Sequence, residues 1–180
     1  MPVTLQAGEA APLFELSDQD GRLHRLVDYR GRTVVLYFYP RDESPGCTAQ
    51  ACSFRDAHEA ITRPGAADGS RATASAGAPG GAVVLGVSTD DAASHRRFRE
   101  RHALPFPLLV DQGARVASAY GAWGEKTLYG RTMVGMTRAT FIIGPDGRLA
   151  RVWKRARAAG HGEVVLAALE KLRGGMTLAR

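Results

Sequence analysis

The seven consecutive residues Thr33-Val34-Val35-Leu36-Tyr37-Phe38-Tyr39 constrain this chain more than any other feature. All are β-branched, aliphatic or aromatic, with no polar alternation. That is the pattern of a strand buried on both faces. Such a strand needs neighbours on either side and a covering layer above and below. Pro40 ends the run because it cannot donate to a ladder. Val83-Val84-Leu85-Gly86-Val87-Ser88 reads as a second buried strand.

Around this pair the remaining elements alternate in type. Leu13–Leu16 and Arg22–Leu26 form an N-terminal β-hairpin about the Asp20-Gly21 turn signal. Residues 40–46 form a loop, and a helix follows from Thr48 to Ile61. Asp91 to Arg101 is a helix opened by Thr89-Asp90-Asp91, and Phe106–Val110 is a short strand. Ala114–Tyr120 is a short helix, and Arg138–Ile143 and Arg148–Trp153 are strands joined by Gly144-Pro145-Asp146-Gly147. A last helix spans Gly162–Arg173, with Val164, Val165, Leu169 and Leu172 placed on one face. Strands alternating with helices, then a hairpin and a helix, predict an α/β sandwich.

At 180 residues with 44% hydrophobic content, the chain suits one domain, 1–180, able to bury a core without metal or disulfide staples. Residues 62–82 depart from this composition, with seven Ala, five Gly, two Pro and no large apolar residue among 21 positions. They predict a flexible surface-loop insertion. No apolar run approaches the length of a membrane span. The N-terminus lacks a basic start followed by an apolar stretch, so a cytoplasmic location is expected. The net charge of +6 comes from 24 basic residues, 21 of them Arg. These are spread along the chain, and neither dense group, Arg96–Arg101 or Arg151–Arg157, has the layout of a nucleic-acid reader. A solvated basic surface is the expectation.

The two cysteines, Cys47 and Cys52, are too few for a disulfide scaffold and lack the Cys-x-x-Cys start of a zinc site. Cys47 follows strand and loop closely enough to sit in the first turn of a helix. There, free N–H groups and the positive end of the dipole favour an anion, hence the thiolate nucleophile. Ser44 in the same loop can offer a hydroxyl to a bound oxygen. Arg138 can add positive field to a leaving oxygen if the sheet brings it close. A buried inert cysteine competes with this reading of Cys47, and a small core hydrophobe competes for Cys52. In a regular helix the i, i+5 spacing separates the two Cα atoms by about 8.6 Å. A disulfide needs less than roughly 7 Å. If the two bond, the first turns of the helix must unwind.

Phe38-Tyr39-Pro40, Pro45-Gly46-Cys47-Thr48 and Ala51-Cys52-Ser53-Phe54-Arg55-Asp56 together resemble the peroxiredoxins of the bacterioferritin-comigratory, or Q, subfamily. The family pattern Pro-x-x-x-Thr/Ser-x-x-Cys is matched by Pro40, Ser44 and Cys47. Further likeness lies in Gly8–Phe14, Asp18–Gly21, Asp28–Gly31, Leu85–Ser88, Tyr120–Lys126 and Gly135–Arg138. The resemblance implies a thioredoxin-like fold: a central mixed β-sheet flanked by helices, with an N-terminal hairpin. It implies reduction of hydrogen peroxide and organic hydroperoxides without cofactor or metal. Cys47 would be peroxidatic and Cys52 resolving, with regeneration by thioredoxin or a similar dithiol. Pro40 would shield the thiolate, and Ser44, Gly46 and Arg138 would hold the peroxide. Gln50 would orient Arg138, while Trp123 packs. A monomer or weak homodimer is expected, with no specific nucleic acid or membrane partner. Two departures stand out: Ser44 where Thr is usual, and the 62–82 insertion directly after the active helix. A thiol–disulfide reductase and a non-enzymatic redox sensor are the competing classes.

Overall fold

The computed structural model describes residues 3–64 and 81–174. The chain opens with the expected hairpin, β1 (Glu15–Ser17) paired antiparallel with β2 (Leu23–Arg25), then a 3-10 turn at Leu26–Tyr29. It continues through β3 (Val34–Phe38), α1 (Pro45–Thr62), β4 (Val83–Ser88), α2 (Ala92–Arg101), β5 (Leu108–Val110) and α3 (Arg115–Ala119). A second hairpin, β6 (Trp123–Leu128) and β7 (Arg131–Met136), precedes β8 (Ala139–Ile143), β9 (Leu149–Trp153) and α4 (His161–Arg173). Five strands make one mixed sheet in the order β5-β4-β3-β8-β9. The β3 strand runs parallel to β4 and antiparallel to β8.

The central place of β3 follows from its side chains. Alternate residues point to opposite faces, and here both faces are apolar. Leu36 and Phe38 pack with Leu85, Val87, Tyr120 and Phe141 on one side. Val35, Tyr37 and Tyr39 pack on the other with Phe54 of α1, Phe98 of α2 and Val165 of α4. The sheet is thus covered by α1, α2 and α4 on the second face and by α3 and the 3-10 turn on the first.

Several expectations need correction. Helix α1 begins at Pro45, not Thr48, because proline suits a first helical position where no N–H is needed. Pro45 and Gly46 therefore belong to the helix rather than to the loop. The predicted 62–82 insertion is too wide at both ends, since Thr62 closes α1 and Ala82 is 2% exposed in the core. Residues 65–80 lie outside the described residues. In α4, Val165, Ala168 and Leu169 are buried, whereas Val164 is half exposed. Adjacent residues on a helix are about 100° apart, so Val164 and Val165 cannot share a face. The β6–β7 hairpin was not expected at all.

Helix α4 enters the core at His161. The ring is buried, lies edge-on to Phe54 and Trp153, and its Nε2 is 2.9 Å from Thr140 Oγ1. Burial, with the Arg138 charge adding to it, holds this imidazole down at about 4. An unfolded histidine titrates near 6.5. The contribution of neutral His161 is therefore complete above about pH 6.5 and is lost as pH falls toward 4. We expect a loss on the order of 2–3 kcal/mol across that window, at roughly 1.4 kcal/mol per unit. Denaturant midpoints at pH 7 and pH 4.5 measure it, and His161→Gln should flatten the difference.

Candidate active site

The β3–β8 register builds the site. Phe38 pairs with Ala139, which places Arg138 opposite Tyr39, where the chain leaves the sheet for α1. The Arg138 backbone is held by Ala156 N–H, which donates to its carbonyl at 2.9 Å. The half-buried guanidinium then reaches α1: Nη1 donates to Gln50 Oε1 at 2.7 Å and Nη2 to Cys47 Sγ at 3.5 Å. The expected association of Arg138 with Cys47, and of Gln50 with Arg138, is thus present in the geometry.

Cys47 is the third residue of α1, and its thiol is buried at 1% exposure. Ser44 is the N-cap, and its carbonyl accepts from Thr48 N–H at 2.9 Å. A thiol in the first turn of a helix and 3.5 Å from a guanidinium nitrogen has two sources of positive potential near it. Both favour a negative charge. Pro40, half-buried, follows β3 and begins the loop to α1.

Gly46 has a specific reason to be glycine. A Cβ there would lie 3.0 Å from Arg138 Nη2. The guanidinium passes over the backbone of the first helical turn through that gap.

Ser44 is arranged differently from expectation. Its hydroxyl donates to the Arg41 carbonyl at 3.1 Å, so its proton is engaged. What remains free is the oxygen lone pairs. Ser44 can accept a hydrogen bond from an incoming O–H group rather than donate one.

The loop carrying Ser44 is tied down by a network that sequence reasoning missed. Tyr39 Oη donates to Asp42 Oδ1 at 2.7 Å. Asp42 Oδ2 receives Ser94 Oγ at 2.8 Å and lies 2.7 Å from His95 Nδ1. His95 Nε2 donates to the Leu109 carbonyl at 2.9 Å. Asp42 N–H donates to Asp90 Oδ2, which also accepts from Ser88 Oγ. Asp42, Asp90 and His95 are the group among the described residues with metal-like spacing. The hydrogen bonds among them and to their neighbours account for that closeness. No local signal joins residues 42, 90 and 95 in the sequence. Trp123 packs half-buried against the first-face core, as expected.

Cys52 lies on the same continuous helix, half-buried, and both thiols are free. Helical geometry keeps their Cα atoms about 8.6 Å apart.

Comparisons with known proteins identify the family and the fold. A family model described as the AhpC/TSA family matches residues 7–67 and 71–152. The chain is 39% identical over 159 residues to the peroxiredoxin Bcp of Bacillus subtilis, covering 88% of this chain and 91% of that one. It is 38% identical over 162 residues to the peroxiredoxin Bcp of Escherichia coli strain K12, covering 90% and 94%. Among solved structures, the Xanthomonas campestris bacterioferritin comigratory protein, studied for alkyl peroxide reduction, superposes with TM-score 0.75 at 31% identity, covering 89% and 92%. A cysteine-to-serine mutant of Xylella fastidiosa PrxQ gives TM-score 0.80 at 29% identity, covering 94% and 98%. The expected thioredoxin-like fold, a central mixed sheet flanked by helices, is the fold these neighbours share.

The Gly46 gap is testable without reference to substrate. Gly46→Ala should displace the Arg138 guanidinium while leaving the helix intact, since Ala is the better helix former. We expect alkylation of Cys47 by iodoacetamide at neutral pH to slow by up to about a hundredfold. An unchanged rate would show that Arg138 does not activate the thiol.

Proposed function

The chain belongs to the AhpC/TSA family of peroxiredoxins and is a thiol peroxidase, in which we propose that Cys47 attacks the hydroperoxide and Cys52 resolves the product. The observation that carries this assignment is the buried Cys47 thiol at a helix start with Arg138 Nη2 at 3.5 Å. Cys52, by contrast, lies half-buried five residues further along α1, past the helix start.

The chemistry follows from the groups present. The Cys47 thiolate attacks the distal oxygen of the hydroperoxide, the O–O bond breaks, and a sulfenic acid forms on Cys47. The leaving alkoxide, or hydroxide from hydrogen peroxide, takes up a proton and departs as alcohol or water. Charge shifts from sulfur to the leaving oxygen in this step, so a donor that serves both lowers the barrier. The Arg138 fork is suited to that, having several N–H groups in one plane. Ser44, by accepting the hydroperoxide O–H, would fix which oxygen faces sulfur. Gly46 leaves room for the guanidinium at the same place. Tyr37, beneath α1, stays a neutral phenol, because burial and then the Cys47 charge push its ionisation well up.

In resolution the Cys52 thiol attacks the sulfenic sulfur, a disulfide forms and water leaves. A dithiol then reduces that disulfide, returning both thiols. Peroxide substrates and a thiol reductant follow from the family. That the reductant is thioredoxin or a close analogue belongs to the proposal, as do a monomer or weak homodimer, one domain with an insertion, and a cytoplasmic location. No helix among the described residues is long and apolar enough to cross a membrane.

Peroxide consumption with a thioredoxin system tests the assignment. Cys47→Ser should abolish turnover. Cys52→Ser should consume about one equivalent in a rapid first step and then stall or over-oxidise. Arg138→Lys keeps the charge but loses the planar fork. We expect the second-order peroxide step to slow by roughly one to three decades. An unchanged step in Arg138→Lys would remove that residue from the reaction.

A further inference from the structure

Helix α1 is not held uniformly along its length. Beyond residue 52 it is fastened to α4 at both ends of their contact. Gly162 N–H donates to Ser53 Oγ at 2.9 Å. A Cβ on Gly162 would lie 2.2 Å from the Ser53 carbonyl oxygen and 2.5 Å from its carbon, so the two backbones touch where only glycine fits. The preceding residue, His161, is anchored to the sheet through Thr140 and lies edge-on to Phe54. At the far end Arg173 donates to the Ala60 and Ile61 carbonyls, which the helix end would otherwise leave unpaired. Before residue 53, the side-chain bonds that hold α1 are those from Arg138 to Gln50 and Cys47. Ser53 stands at the border of the two regions. Its hydroxyl accepts from Gly162 on the fastened side and donates to the Gln50 carbonyl at 2.8 Å on the other.

We propose that Ser53, clamped against the first turn of α4, is the fixed point about which residues 45–52 unwind, and that this clamp governs how oxidised Cys47 partitions between resolution and over-oxidation. The proposal rests on the reading that Cys52 resolves Cys47. Cys52 directly precedes the fixed point, so it moves little while Cys47 travels. Two reactions compete for the sulfenic acid. In one, Cys52–SH attacks and releases water. In the other, the sulfenic acid first loses its proton, and the sulfenate attacks a second hydroperoxide, taking one oxygen to become sulfinate and releasing alcohol or water. The first requires Ser53 to release the Gln50 carbonyl, and the second requires the helix to stay wound. Ser53 is thus a positioning residue for resolution, with no contact to the reacting atoms.

The test is Ser53→Ala with stopped-flow oxidation and mass analysis of the products. The variant loses the bond to the Gln50 carbonyl and strands the buried Gly162 N–H, which outweighs the small gain in helix propensity. Intramolecular disulfide formation should accelerate by roughly fivefold to thirtyfold. The peroxide concentration that half-converts Cys47 to sulfinic acid should rise by the same factor. Ser53→Thr, which keeps the hydroxyl, should return both values toward wild type. Arg173→Met weakens the far end of the same helix contact and should lower the melting temperature without moving the partition. Wild-type partition in Ser53→Ala, with a Cys47–Cys52 disulfide still forming, overturns the clamp and leaves the resolving role of Cys52 intact. Absence of that disulfide in the wild-type protein removes the resolving role and the clamp with it. If Ser53→Ala does not fold, hydrogen exchange on the wild-type protein decides. Oxidation should strip protection from residues 47–52 and spare 53–62. Loss across 53–62 overturns the proposal.

Discussion

The site depends on one pairing, the guanidinium of Arg138 held against a buried thiol. A thiolate in an apolar setting is costly unless a positive group and donors meet it. Here the sheet register delivers Arg138 to the end of β3, the helix start delivers unpaired N–H groups, and Gly46 leaves the gap between them. Gln50 completes the arrangement by engaging the other arm of the guanidinium at 2.7 Å. That orientation has a cost. With Oε1 turned to Arg138, the buried Nε2 of Gln50 has no protein partner. An orphaned amide donor disfavours the fold by about 1–3 kcal/mol. Holding Arg138 in position is the feature that offsets it.

The second support is the Asp42 network. The loop from Pro40 to Ser44 carries no regular structure, yet the role proposed for Ser44 needs its lone pairs in a fixed direction. Glu43 even adopts a left-handed backbone there (φ 63°). Such a conformation is strained for a residue with a Cβ and persists when its surroundings over-determine it. Asp42 does so with both carboxylate oxygens and its backbone N–H, reaching Tyr39, Ser94, His95 and Asp90. The loop is therefore fastened to α2 and to the end of β4, on the side of the site opposite Arg138.

What was legible in the sequence is what local pattern encodes. The buried run at 33–39, the helix after it and the placement of Cys47 in the first helical turn all follow from neighbouring residues. Arg138 is 91 residues from Cys47, and its approach depends on sheet order, which no local pattern carries. The likeness to a known family suggested the pairing, and the Phe38–Ala139 register supplies the physical reason for it. The β6–β7 hairpin escaped notice because its turn, Tyr129-Gly130, lacks the Asn-Gly or Asp-Gly signal and its strands carry Glu, Lys and Thr in place of a clean alternation. The Ser44 hydroxyl direction and the Asp42–His95 pair were equally hidden. Each is set by which neighbour offers an acceptor once the chain has folded.

These constraints converge on α1, which must be firm for one reaction and loose for the next. On the reading proposed for Cys47, the thiolate itself contributes to that firmness. Its charge interacts with the helix dipole and with Arg138, and both interactions hold the first turn wound. Oxidation converts the anion to a neutral sulfenic acid and removes that contribution at the moment unwinding is required. On that reading no separate trigger is needed, because the charge that would make Cys47 a nucleophile would also bind the helix start to the sheet. From Ser53 onward the helix depends on α4 and not on the state of the sulfur, so the loosening is confined to the two turns that carry the cysteines. Chemistry and unwinding are then coupled through a single electrostatic contact, and the extent of movement is set by where the packing against α4 begins.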